Sequence, residues 1–122
     1  MVRVLVVEDD KNTRLFLSVV LEELHYEVVE APNAMEALVI LHFGEKFDLL
    51  ISDLLMPVID GMHFVTLVRQ HNEHIPILVI SAHLQKMTPH YGLPDNIAML
   101  PKPFSRSEFI EAVQKVLATP QE

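Results

Sequence analysis

"FDLLISDLLMP", residues 47–57, decides how this chain is read. Leu49, Leu50, Ile51, Leu54 and Leu55 form a short apolar run of the kind found in a strand buried on both faces. Asp53 stands inside that run, where an unpaired charge is costly. Either it marks the point at which the strand surfaces, or it is there for chemistry. The surrounding chain decides between the two.

Working outward, similar runs recur at "VRVLVV" (2–7), "YEVVEA" (26–31), "IPILVIS" (75–81) and, broken by prolines, "NIAMLPKPF" (96–104). Segments of helical period separate them. Leu17, Val20, Leu21 and Leu24 fall at i, i+3, i+4, i+7. Asn33 with Glu36 starts a helix carrying Ala34, Ala37, Leu38 and Leu41, and Gly44 closes it. The turn "PVIDG" (57–61) precedes a helix with Phe64, Leu67 and Val68. "SRSE" (105–108) has capping-box spacing and leads into Phe109, Ala112, Val113 and Val116. Strands alternating with helices predict an α/β fold with a parallel sheet and right-handed crossovers. Residues 82–95, "AHLQKMTPHYGLPD", sit where a fourth helix belongs, yet they contain Pro89, Gly92 and Pro94. The expectation there is an irregular or shortened helix, two turns at most near 83–88, then a loop.

The 122 residues are the size of one domain, and half are apolar, enough for a single core. The net charge is −8 and no basic run occurs, which argues against nucleic-acid binding by this chain. There is no cysteine, so disulfide and thiolate chemistry are excluded. The start, "MVRVLVVEDD", reaches three acids after a short apolar run and does not read as a signal peptide. No run is long enough for a membrane span. The expected setting is cytoplasmic. The seven histidines show no structural-zinc spacing.

In open parallel sheets the site lies outside the carboxyl ends of the strands. The first strand ends in Glu8, Asp9 and Asp10, the third in Asp53, the fourth in Ser81, and the fifth near Lys102. Two carboxylates about 5 Å apart repel by roughly 3 kcal/mol at an effective dielectric near 20. A single lysine does not balance three acids, whereas a hard divalent ion such as Mg²⁺ does. Beside such an ion a carboxylate can attack phosphorus and form an aspartyl phosphate, while a lysine and a hydroxyl neutralise the phosphoryl oxygens. This reading makes Asp53 the acceptor. Which two of Glu8, Asp9 and Asp10 bind metal is not decided by periodicity.

Four fragments in this order and spacing, "VLVVEDD", "LLISDLLMPVIDGM", "ILVISA" and "LPKPF", resemble the receiver domains of two-component response regulators over essentially the whole chain, 1–122. The resemblance implies a flavodoxin-like doubly wound five-stranded sheet ordered 2-1-3-4-5. It implies Glu8 and Asp9 as the acidic pair that holds Mg²⁺ with Asp53 and the Leu55 carbonyl. Asp10 is then left to cap the first helix. It further implies Asp53 as phospho-acceptor, Ser81 at the switch position, Lys102 contacting the phosphoryl group, and a cis bond before Pro103. The implied partner is a sensor histidine kinase or a histidine phosphotransfer domain. The downstream effector stays unnamed, and a homodimer through residues 82–117 stays open. The tail "VLATPQE" suits a free-standing regulator or a receiver from a longer protein. Three departures stand out: Met99 replaces the usual Tyr or Phe, the 82–95 segment is Pro-rich, and Leu55 and His83 occupy positions that tune dephosphorylation in the family.

Other classes fit less well. A Mg²⁺-dependent phosphatase with an aspartyl intermediate needs a second acid two residues after the nucleophile, where this chain has Leu55. A nucleotide or flavin site is disfavoured by the acidic loop after the first strand. A pseudo-receiver, acting as a non-phosphorylated interaction module, is the alternative kept open. Met99 favours it, and Asp53, Glu8, Asp9 and Lys102 speak against it.

Overall fold

β-branched and aliphatic runs become strands here because a sheet covered on both faces removes every side chain from water. In the computed structural model, which describes residues 1–54, 61–72, 74–82 and 97–118, these are β1 (Arg3–Val7), β2 (Glu27–Ala31), β3 (Leu49–Asp53), β4 (Ile77–Ser81) and β5 (Ile97–Pro101). The helices among the described residues are α1 (Lys11–Glu23), α2 (Ala34–His42), α3 (Gly61–His71) and α4 (Arg106–Ala118). All strand pairs are parallel, in the order β2-β1-β3-β4-β5. Burial follows that order. Every residue of the central β3 and β4 is buried, while the edge strands β2 and β5 are largely half-exposed.

Side-chain alternation along the strands divides the core into two separate clusters. Leu5, Leu50 and Val79 pack against Phe64 and Val68 on the α2–α3 side. Val6, Ile51 and Ile80 pack against Leu21, Phe109 and Val113 on the α1–α4 side.

Several strands start later than their apolar runs. Phe47 and Asp48 are taken by Arg3: its guanidinium lies 4.7 Å from the Phe47 ring centre, and its backbone N–H donates to Asp48. Pro76 has no N–H for the ladder, and only its carbonyl is used, by Leu50.

Helix starts agree with the sequence. Asp10 caps α1 by accepting from the Thr13 N–H at 2.9 Å, and Asn33 caps α2 by accepting from Glu36 N–H. Ser105 and Glu108 exchange hydrogen bonds of 3.1 and 2.9 Å in a reciprocal box at the start of α4. Gly44 follows α2 at φ 84°, as a left-handed closing residue requires. After α1 the same backbone shape is adopted by His25, at φ 67°. The Lys102–Pro103 bond is cis. Residues 57–60 of the expected turn and 83–95 of the irregular fourth-helix segment, His83 included, lie outside the described residues.

Candidate functional site

The parallel order brings the carboxyl ends of β1, β3, β4 and β5 to one rim. β3 lies between β1 and β4, so Asp53 emerges between the ends of its two neighbours. One carboxylate oxygen from each of Glu8, Asp9 and Asp53 comes together, all within 4.8 Å of one another. Lys102, arriving just after β5, bridges two of them. Its Nζ donates to Glu8 Oε1 at 2.8 Å and to Asp53 Oδ2 at 3.0 Å.

Glu8 is fully buried and each of its polar atoms is engaged. Its N–H donates to the Ala31 carbonyl, which extends the β1–β2 ladder by one residue. Its Oε2 accepts from the Asp10 N–H at 3.1 Å. Its carbonyl accepts from Arg14 at 2.8 Å. Burial pushes the Glu8 carboxyl up to about 7, against the pull of Lys102 and the Asp10 amide, and the Asp53 charge pushes the same way. Burial alone would lower the Lys102 ammonium, but its hydrogen bonds to Glu8 and Asp53 outweigh that and raise it. The rim therefore holds more negative charge than its lysine neutralises.

Asp9 is exposed, and its carboxylate makes no hydrogen bond among the described residues. Asp10 turns away from the rim to serve α1, and its hydrogen bonds from Thr13 hold its carboxyl below the ordinary range. Of the three acids, Glu8 and Asp9 each bring an oxygen into the group with Asp53, whereas Asp10 is taken up by the cap of α1. Ser81 ends β4, fully buried, and its carbonyl accepts from the Lys102 N–H at 2.9 Å. Met99 is not at the rim. It is 43% exposed on β5, in a groove of about 490 Å³ against Ala112 and Val116 of α4. Leu55 lies outside the described residues. Sequence reasoning passed over Arg14, whose only signal is a cation on the first turn of the helix that follows the acidic run.

The family model for the response regulator receiver domain matches residues 4–114. The chain belongs to this family. Among relatives, this receiver domain is 38% identical to the sensor histidine kinase TmoS of Ectopseudomonas mendocina, over 95% of this chain and 12% of that protein. It is 34% identical to the transcriptional regulatory protein KdpE of Staphylococcus aureus, over 98% of this chain and 53% of that protein. The chain thus spans about half, or much less, of those relatives' lengths. Among solved structures, the chemotaxis response regulator CheY4 of Vibrio cholerae superposes with a TM-score of 0.84 at 32% identity, covering 95% of this chain and 98% of that one. Receiver domains are signalling switches rather than conventional enzymes. They take phosphoryl groups from sensor histidine kinases and generally bind Mg²⁺ at an acidic site; the Glu8–Asp9–Asp53 cluster is compatible with that. Among the described residues no helix is long and apolar enough to cross a membrane.

Proposed function

We propose that this chain, as a receiver unit over residues 1–122, accepts a phosphoryl group on Asp53 and passes the change to a partner. One observation carries the reading: Lys102 joins Glu8 to Asp53 while Asp9 brings a third carboxylate within 4.8 Å. Two oxygens on one Mg²⁺ lie at most about 4.2 Å apart, given bond lengths near 2.1 Å, so a small adjustment turns this cluster into a ligand set. Glu8, Asp9 and Asp53 would hold the ion, with the Leu55 carbonyl as a further ligand and waters completing the shell. When bound, the ion offsets the negative charge of the rim and of the incoming phosphoryl oxygens.

The chain's own groups do the rest. An Asp53 carboxylate oxygen attacks phosphorus, the bond from phosphorus to the donor's imidazole nitrogen breaks, and an aspartyl phosphate results. The Lys102 ammonium moves from carboxylate to phosphoryl oxygen, and the Ser81 hydroxyl donates to another. The domain catalyses only its own phosphorylation and dephosphorylation. The donor is a phosphohistidine of a sensor histidine kinase or histidine phosphotransfer domain in the cytoplasm. Met99, set in the β5–α4 groove, takes the place of an aromatic switch residue, a flexible side chain that can repack as the rim changes.

Incubation with acetyl phosphate and Mg²⁺, followed by intact-mass measurement, tests this. One added phosphoryl group on the wild type and none on Asp53→Asn is the expected result. An unlabelled wild type, beside a labelled control receiver, overturns it in favour of a non-phosphorylated interaction module. Turnover of small phosphate esters revives the phosphatase.

A further inference from the structure

The two ends of the Glu8 residue are held differently. Its carboxylate is tied by Lys102 and the Asp10 amide, as described. Its carbonyl lies beyond the last residue of β1 and is held by a side chain: Arg14, on the first turn of α1, supplies the donor.

We infer that Arg14 is a positioning residue for the acidic rim, fixing the peptide between Glu8 and Asp9 and so the direction in which both carboxylates are presented to a divalent cation. The inference rests on the metal-binding reading proposed above. The Arg14 Nη1 donates to the Glu8 carbonyl at 2.8 Å, and its Nε donates to Glu30 Oε1 at 3.2 Å. The side chain is only 17% exposed, and Glu30 belongs to β2, so the fork ties the β1–α1 turn to the neighbouring strand. The Glu8 carbonyl is part of the peptide plane that leads into Asp9. Asp9 has no side-chain hydrogen bond among the described residues, so its aim is set by that plane rather than by a partner of its own. A guanidinium satisfies a carboxylate and a carbonyl at once with a rigid geometry, which a lysine ammonium on a flexible stem does not reproduce. Groups that orient metal ligands typically change metal affinity about 10- to 100-fold when removed.

The test is Mg²⁺ titration by calorimetry on the wild type, Arg14→Ala, Arg14→Lys and Glu30→Gln, with a Mg²⁺-free melt of each. We expect Arg14→Ala to weaken Mg²⁺ binding about 10-fold or more, Arg14→Lys to restore only part of it, and Glu30→Gln to weaken it less. Phosphoryl incorporation at saturating Mg²⁺ should fall far less than affinity does, because the ligands themselves are intact. A folded Arg14→Ala with wild-type affinity overturns the inference, as does full rescue by Arg14→Lys, which would make charge and not the fork responsible. Should Arg14→Ala fail to fold, the Arg14→Lys and Glu30→Gln affinities decide in the same way. A wild type that binds no Mg²⁺ overturns the metal reading and this inference together, which separates the two failures.

Discussion

At each end of the sheet one cation is set among three acids, and the two groups behave in opposite ways. At the amino end of the strands, Arg3 pairs with Glu27 and Glu45, and its backbone N–H is held by Asp48. At the carboxyl end, Lys102 faces Glu8, Asp9 and Asp53. The acids around Arg3 are exposed, so water screens their mutual repulsion. Hydrogen bonds to Glu45 and Glu27 hold the guanidinium above its ordinary range. At the other end Glu8 and Asp53 are buried, water cannot do that work, and Glu8 is pushed up to about 7. The same inventory of charge ties the fold together where it is wet and stores an unmet demand for positive charge where it is dry.

The sharpest way to break this contrast is to remove each cation in turn. Lys102→Ala deletes the ammonium bonded to both buried carboxylates, and phosphoryl incorporation from acetyl phosphate should fall about 100-fold, the usual loss when a preorganised charge is taken from a transfer site. A fall of less than about threefold would mean that the lysine is not part of the reaction. Next in size is Asp53→Asn. Without Mg²⁺ it removes one like charge from the rim and should raise unfolding free energy by about 1–3 kcal/mol in denaturant titration. A loss of stability would show that the rim is already balanced. The smallest effect belongs to Arg3→Ala, which should lower the melting temperature by at most about 5 °C and leave phosphoryl incorporation unchanged. A change in labelling rate there would couple the two ends.

Much of this contrast was legible in the sequence, because burial on both faces writes itself as uninterrupted apolar runs, and strand ends interrupt those runs with polar residues. "LLISD" and "ILVIS" announced both a central strand and the residue delivered at its end. Caps were legible for a similar reason: Asn33 and Ser105 satisfy N–H groups three residues on, a short-range requirement visible in spacing. What could not be read depends on the path of the chain in space. The division of labour among Glu8, Asp9 and Asp10 follows from Asp10 being claimed by Thr13. His25 takes a left-handed backbone shape without the glycine that would have signalled it. Arg14 reaches the Glu8 carbonyl across the β1–α1 turn, but it meets Glu30 only because α1 returns alongside β2, and a cation on the first turn of the helix does not announce that pairing. The position of Met99, away from the rim and against α4, depends on how β5 packs on that helix.

Among the described residues, the two apolar clusters on opposite sides of the sheet share no member. That partition makes the interior modular in its packing. Substitutions beneath α2 and α3 can accumulate and be compensated among themselves, with little need for matching change beneath α1 and α4. A change of volume on one flank is thus absorbed there, while the opposite flank keeps its packing.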